Sequence, residues 1–461
     1  MEPLPEFRAR TQERIRLGEV ATVVCDPDLV EVAEGESSPA PVTLAELTGA
    51  ATSMPAGSYD RPPDDPERTA ILQFTSGSTA DPKGVVIPQR CLLENLDAMV
   101  DRDPAMRQDT YVSWLPLYHD MGLVANAAHA MTSGIRLVLA PPARFVISPG
   151  SWVEWMEQYG GTFTLGPNFS LAMTARLLRG TTKRDLGRCR RWGSGSEPVD
   201  PGIMDGLSAA GAEHGLRRHA LFAAYGMAEA TVVIAFPPDG TGFAADVVDA
   251  RTLEFDGRAE PRTPDDPGAR RLARCGPPVR GMEVRITDPD TGTVVGDRMA
   301  GEIELRGPSV VPGYFRRPDA TAAAFREGGW LCSGDLGYFA EGDLVVCGRL
   351  KDVIIVGGRN VFPEDLERAA QTVEGVRAGN VIAFGVASGR KGDALVVVAE
   401  VKSGDPPALR DGIARAVGQS VGLRLDDVVL VAPGTIPKTS SGKLRRSACR
   451  ARYQAEELER L

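Results

Sequence analysis

The apolar run Ala70-Ile71-Leu72-Gln73-Phe74 enters Thr75-Ser76-Gly77-Ser78-Thr79-Ala80-Asp81-Pro82-Lys83-Gly84 and re-emerges as Val85-Val86-Ile87. Strand-forming runs on both sides of so short a polar stretch predict a strand, a loop and a second strand, and so a sheet from which the loop projects. A Walker A loop is excluded, because no helix start follows Lys83 and the glycine spacing differs. The physics is nonetheless similar. Small residues let the backbone approach an anion, clustered hydroxyls donate to its oxygens, and a lysine neutralises its charge. The expected ligand is a polyphosphate, ATP above all, held by Thr75, Ser76, Gly77, Ser78, Thr79 and Lys83.

The rest of the chain is consistent with an α/β layer structure. From Ala70 to about Ala235, short apolar runs such as Arg136–Leu139 and His219–Phe222 alternate with helical patterns such as Cys91–Asp101 and Trp152–Tyr159. Upstream, Arg8–Leu17 reads as a helix and Val20–Val24 as a strand, followed by a loosely packed stretch to Asp65. Phe236–Ala273, with its Pro-, Gly- and Asp-laden run Glu260–Gly268, reads as an exposed insertion or linker. Met282–Leu350 reads as a β-rich subdomain, a small distorted barrel. Strands at Val381–Gly385 and Ala394–Val401 and a helix over Pro407–Gln419 follow. The expected layout is a large domain over residues 1–350 and a small, mobile α+β domain over 351–461.

Composition narrows the function classes. A chain of 461 residues with a net charge of −10 has no general basic surface for nucleic acid or anionic lipid. No apolar run is long enough for a membrane span or secretion signal. The seven cysteines are scattered without a C-x-x-C pair, which argues against zinc and a disulfide framework and for a cytoplasmic location.

Five more motifs follow the loop in order: Gly195-Ser196-Glu197-Pro198, Tyr225-Gly226-Met227-Ala228-Glu229, Ser333-Gly334-Asp335-Leu336-Gly337, Gly348-Arg349-Leu350-Lys351-Asp352 and Pro437-Lys438-Thr439-Ser440-Ser441-Gly442-Lys443. With them the chain from Ala70 onward resembles the adenylate-forming superfamily of acyl-CoA synthetases, fatty acyl-AMP ligases and peptide-synthetase adenylation domains. The resemblance implies ATP-dependent conversion of a carboxylic acid, here a fatty acid, to acyl-AMP, with Mg²⁺ held by Glu229. It also implies Tyr225 flat on adenine, flanked by Gly195, Ser196, Glu197, Gly226 and Met227, and Asp335 and Arg349 on the ribose. Lys443 would bridge the carboxylate and the α-phosphate, and Lys351 would be the hinge on which the small domain turns.

Ser113-Trp114-Leu115-Pro116-Leu117-Tyr118-His119-Asp120-Met121-Gly122, Gly166-Pro167-Asn168-Phe169 and the 236–273 insertion are especially similar to the fatty acyl-AMP ligase branch. There the insertion restrains the small domain and the acyl group goes to the phosphopantetheine thiol of an acyl carrier protein. His119 is expected beside the acyl pocket. Two departures stand out: only Met1–Thr69 precede the phosphate loop, so the N-terminal lobe is shorter than the family's, and Gly357–Pro363 looks more like the general superfamily. Other readings are a CoA ligase, an enzyme activating a small acid such as nitrite, and a non-catalytic nucleotide-binding protein. Retention of Lys83, Glu229, Asp335 and Lys443 argues against the last.

Overall fold

The computed structural model describes residues 4–35, 38–55, 62–75, 82–104, 108–266, 268–387, 392–438 and 442–461. Five parallel strands form the central sheet in the order Arg136–Leu139, Thr110–Ser113, Phe163–Gly166, Arg191–Ser194, Leu221–Ala223. The helices Gly150–Tyr159, Asn168–Arg179 and Pro201–Ala212 make the crossovers. The last begins where the Asp200 carboxylate accepts from the backbone N–H groups of Gly202 and Ile203, with Pro201 preset for the first turn.

All but the edge strand Arg136–Leu139 are buried on both faces and carry hardly any alternation, as parallel strands do. The layers are stitched by Thr164, whose hydroxyl donates to Val112 O at 2.7 Å and accepts from the Trp152 indole at 2.9 Å. Ser113, Gly166, Ser194 and Ala223 end their strands on the same edge, so the motifs at 114–122, 167–169, 195–198 and 224–229 all leave from the carboxyl ends. In open parallel sheets that edge is where ligands bind, at the point where the strand order reverses. Here the reversal lies between Thr110–Ser113 and Phe163–Gly166.

The strands Thr69–Phe74 and Gly84–Pro88 pair antiparallel, as expected. Val85 and Ile87 are fully buried against Cys91, Ala228 and Val311, and Thr75 N–H donates to Lys83 O at 3.0 Å, closing the loop's base. Ser76, Gly77, Ser78 and Thr79 lie outside the described residues.

A second, antiparallel sheet contains Glu283–Thr287, Gly301–Arg306, Trp330–Ala340 and Asp343–Arg349, with Phe325–Arg326 at one end. Its register sets Asp335 directly opposite Arg349. Residues beyond 353 build a third sheet, Val376–Ala387, Asp393–Val401 and Asp427–Val431, covered by the helices Pro363–Ala370, Pro406–Val421 and Arg446–Gln454. This sheet has its own apolar clusters on its two faces, one around Leu366, Val397 and Ile413, the other around Phe384, Val398 and Cys449.

Two expectations need correction. The stretch before Asp65 is more ordered than its composition suggests: Val23–Cys25 pairs in parallel with Pro41–Thr43, and a Thr43–Glu46 capping box starts the helix Leu44–Ser53. The strand there covers Val23–Cys25 rather than Val20–Val24. The 236–273 segment is not merely an exposed linker. Ala245–Asp249 pairs with Ala269–Ala273, and Val248, Leu253 and Leu272 are buried with Tyr338, Cys347 and Phe362. The charged residues that hide this hairpin in the sequence are paired in the fold. Asp246 accepts from Tyr338 Oη at 2.7 Å and Arg298 Nη1 at 3.0 Å. Pro261–Asp265 are exposed, as read.

Candidate adenylation site

A cavity of ≈ 2070 Å³ opens over the carboxyl edge of the parallel sheet, and residues from the second and third sheets complete its walls. Thr75, Lys83, His119, Gly195, Ser196, Glu197, Tyr225, Gly226, Met227, Glu229, Arg349, Lys351 and Lys443 all line it. Sequence positions more than three hundred residues apart thus share one chamber.

Lys443 reaches the chamber from a loop fixed at both ends. Arg445 N–H donates to Pro437 O at 2.9 Å, and Lys438 bridges to Leu444. Arg446, one step into the last helix, pairs with Asp352 at 2.8 Å and Glu367 at 2.8 Å. The Lys443 ammonium stands 3.3 Å from His119 Nε2. The other ring nitrogen, Nδ1, lies 2.6 Å from Asp120 Oδ1, which also accepts from Met121 N–H. A proton on Nδ1 shared with Asp120 leaves Nε2 free of hydrogen, able to accept from the lysine. Burial pushes the Lys443 amine below its ordinary 10.5, with Asp120 and Glu197 opposing the shift. Burial raises the Glu197 carboxyl, against the pull of Lys443, and Glu197 accepts from Asn168 N–H at 2.8 Å. This is a desolvated cation between two carboxylates, aimed at the chamber.

Tyr225 is buried, its hydroxyl donating to Asp335 Oδ2 at 2.8 Å. Arg349 Nε approaches the other oxygen, Oδ1, at 3.3 Å. Burial raises the Asp335 carboxyl, and Arg349 and Tyr225 counter that. Asp335 is set beside the lining residues Ser333 and Gly334 and holds the Tyr225 ring. Glu229 Oε1 accepts from Tyr314 Oη at 2.9 Å, and Lys83 Nζ lies 4.8 Å above the Tyr314 ring. Burial raises the Glu229 carboxyl. A half-buried carboxylate with only one oxygen on a phenol offers a hard oxygen donor, and Mg²⁺ fits that donor chemistry.

Gly226 is required by close approach. A Cβ there would stand 1.8 Å from Val232 O. Gly226→Ala is therefore expected to cost about 2–3 kcal/mol as the backbone shifts, read as a lower denaturation midpoint together with reduced ATP binding.

Sequence reasoning missed Tyr314 and gave no role to Asp120 or Arg446. Asp120 sits inside a quoted motif. Tyr314 has no local signal, because only its bridge to Val85 brings it beside the phosphate loop. Among the described residues, Glu302, Glu304 and Cys332 lie close enough to share a metal. Both carboxylates there are already paired, however, with Arg326 at 2.9 and 2.7 Å and Arg285 at 2.6 Å.

Residues 7–315 match the AMP-binding enzyme family. The chain is 41% identical over 437 residues to a putative ligase of Mycobacterium tuberculosis, covering 93% of this chain and 78% of that one. It is 34% identical over 454 residues to a 4-hydroxyphenylalkanoate adenylyltransferase of the same organism, covering 93% and 72%. Among solved structures it superposes with a TM-score of 0.88 and 27% identity on one from work on fatty acyl-adenylate ligases of E. coli and L. pneumophila, covering 98% of this chain and 82% of that one.

Proposed function

Because the chain belongs to the AMP-binding enzyme family, we propose that it uses ATP to convert an organic carboxylic acid to its acyl-adenylate and passes the acyl group to a carrier-protein thiol. The observation that carries the reading is the meeting of Lys443 with the residues at the sheet's carboxyl edge, 3.3 Å from His119 and beside Glu197.

An acid oxygen attacks the α-phosphorus, a new P–O bond forms, and the bond to pyrophosphate breaks. Charge grows on the equatorial oxygens, so catalysis is mainly positioning and neutralisation. Lys443 supplies the cation at the acid and the α-phosphate, and His119, held by Asp120, orients it. Thr75, Lys83 and the loop between them receive the β- and γ-phosphates. Tyr225 faces the adenine, with Gly195, Ser196, Glu197, Gly226 and Met227 around it. Asp335 and Arg349 serve the ribose. Bound at Glu229, Mg²⁺ would supply positive charge to the phosphates.

Residues 351–461 act as a small unit turning on Lys351 between adenylation and transfer. The buried pairs Glu254–Arg359 at 2.7 Å and Arg270–Asp365 at 2.9 Å tie the 236–273 hairpin to that unit. Such a tether favours a carrier protein, which delivers its own thiol, over free CoA. Relatives carry names of both kinds, a long-chain-fatty-acid–AMP ligase of Mycobacterium marinum at 33% identity over 462 residues and a putative fatty-acid–CoA ligase of Mycobacterium leprae at 36% over 430, so the tether and not the names favours the carrier. The apolar limb of the chamber, with Leu165, Val232 and Phe236, suits an organic chain and would be wasted on nitrite.

Among the described residues, no helix is long and apolar enough to cross a membrane, and the seven cysteines are unpaired. The free thiols suit a reducing compartment such as the cytoplasm.

The test is acyl transfer with CoA and with holo carrier protein under matched conditions. The carrier is expected to be acylated faster, and equal or faster CoA acylation contradicts the tether. The pH profile is a further check. Catalysis needs Lys443 charged, and burial lowers its pKa. The adenylation rate of free enzyme should therefore fall on the alkaline side before pH reaches 10.5, the ordinary lysine value.

A further inference from the structure

At the inner end of the chamber the apolar wall carries a polar exception. His129 lines the cavity and is 2% exposed. Its Nε2 is buried with no hydrogen-bond partner. Nδ1 faces Tyr111 Oη at 3.4 Å, and the ring stands edge-on to Tyr111 at 5.5 Å. Burial, and secondarily Arg190, pushes the imidazole down to about 4, so it is neutral near pH 7. Nearby Asp103 is already paired, with Arg190 and with Arg191 at 3.3 Å. Met99, Phe163, Phe222, Val233 and Phe236 line the same cavity.

The helix geometry aims His129 along the acyl limb. A wide π-type turn, Leu123–Ala128, follows Asp120–Gly122 and leads into the helix His129–Ser133. Such turns recur at functional sites. Met121, Ala125 and His129, four residues apart, all line the chamber. The run starts beside His119, where Lys443 acts, and from Asp120 to His129 it rises at most about 14 Å. A buried polar atom without a partner costs free energy unless a ligand supplies one.

We infer that the acid this enzyme activates bears a hydroxyl near its far end, on an alkyl chain or a phenyl ring, and that His129 Nε2 hydrogen-bonds it. A hydroxyl both donates and accepts, so it satisfies either neutral tautomer. A second carboxylate would lose its water against a neutral ring in an apolar limb and is disfavoured. The inference rests on the adenylation reading above and narrows its substrate class.

The experiment measures acid-dependent pyrophosphate release for matched pairs across medium chain lengths: alkanoic against terminally hydroxylated alkanoic acids, and phenylalkanoic against hydroxyphenylalkanoic acids. At the best-fitting length, the hydroxylated member should have a kcat/KM at least about tenfold higher. His129→Leu should abolish or reverse that ratio, and His129→Gln, which keeps a polar group, should restore part of it. A ratio within one variant is insensitive to how much protein is folded. The idea is overturned if the unhydroxylated acid is as good at every length, or if His129→Leu leaves the ratio unchanged. Silence with every acid would instead contradict adenylation itself and remove this inference with it.

Discussion

Lys443→Ala lowers acid-dependent ATP–pyrophosphate exchange by at least about a hundredfold, while ATP affinity changes little. The magnitude follows from removing one preorganised charge from the point where negative charge develops, which typically costs about 10²–10³ in rate. The geometry explains the asymmetry between chemistry and binding. Lys443 stands with His119, Asp120 and Glu197, where the acid and α-phosphate would meet, whereas in the proposed pose Thr75 and Lys83 take the outer phosphates and Tyr225 the base. The residue is on a loop near the chain end, outside the apolar clusters, so its loss should leave the fold intact. Fluorescent-nucleotide titration beside the exchange assay separates the two effects. Parallel losses in both would show that Lys443 only holds nucleotide or structure.

Asp335→Ala has the second large effect, and it falls on ATP. One carboxylate oxygen holds the Tyr225 hydroxyl at 2.8 Å and the other meets Arg349 at 3.3 Å. Removing the carboxylate would deprive the ribose of its proposed acceptor, take from the buried phenol the acceptor at Asp335 and free Arg349. Hydrogen bonds to charged groups are worth roughly 1.5–3 kcal/mol each. The expected result is a rise in KM for ATP of about tenfold to a hundredfold, with KM for the acid nearly unchanged. Asp335→Asn, which keeps the shape and one acceptor, should fall between. A variant that changes KM for the acid as much as that for ATP would place Asp335 elsewhere.

The sequence was most legible where function and local chemistry coincide. The strand–loop–strand around Thr75 and Lys83 was visible because β-branched runs bracket a polar stretch, and Val85 and Ile87 are indeed buried. The order of motifs named candidate site residues, and those that are described line the chamber except Asp335, which sits beside it on Tyr225 and Arg349. Pairing was less legible. Phe163–Gly166 and Arg191–Ser194 are short strands buried on both faces, without the alternation that marks a half-exposed strand. Arg191 opens one of them although it is fully buried, because Phe222 lies 3.9 Å from its guanidinium and Pro237 O accepts at 2.9 Å. The Ala245–Asp249 hairpin was hidden by charges whose partners, Tyr338 and Arg298, are distant in sequence. The same blindness applied to Tyr314 and His129. Their roles depend on which cavity a side chain enters, and only the fold decides that.

In the proposed reaction two distant segments, the loop after Phe74 and the loop of Lys443, close on one triphosphate to make an acid–AMP anhydride. The most direct measurement is mass detection of that adduct after incubation with ATP, Mg²⁺ and a panel of carboxylic acids. A mass equal to acid plus AMP less water is expected for at least one hydroxylated acid, present with wild-type protein and lost with Lys443→Ala. No such species with any acid, or an undiminished amount from the lysine variant, would contradict it.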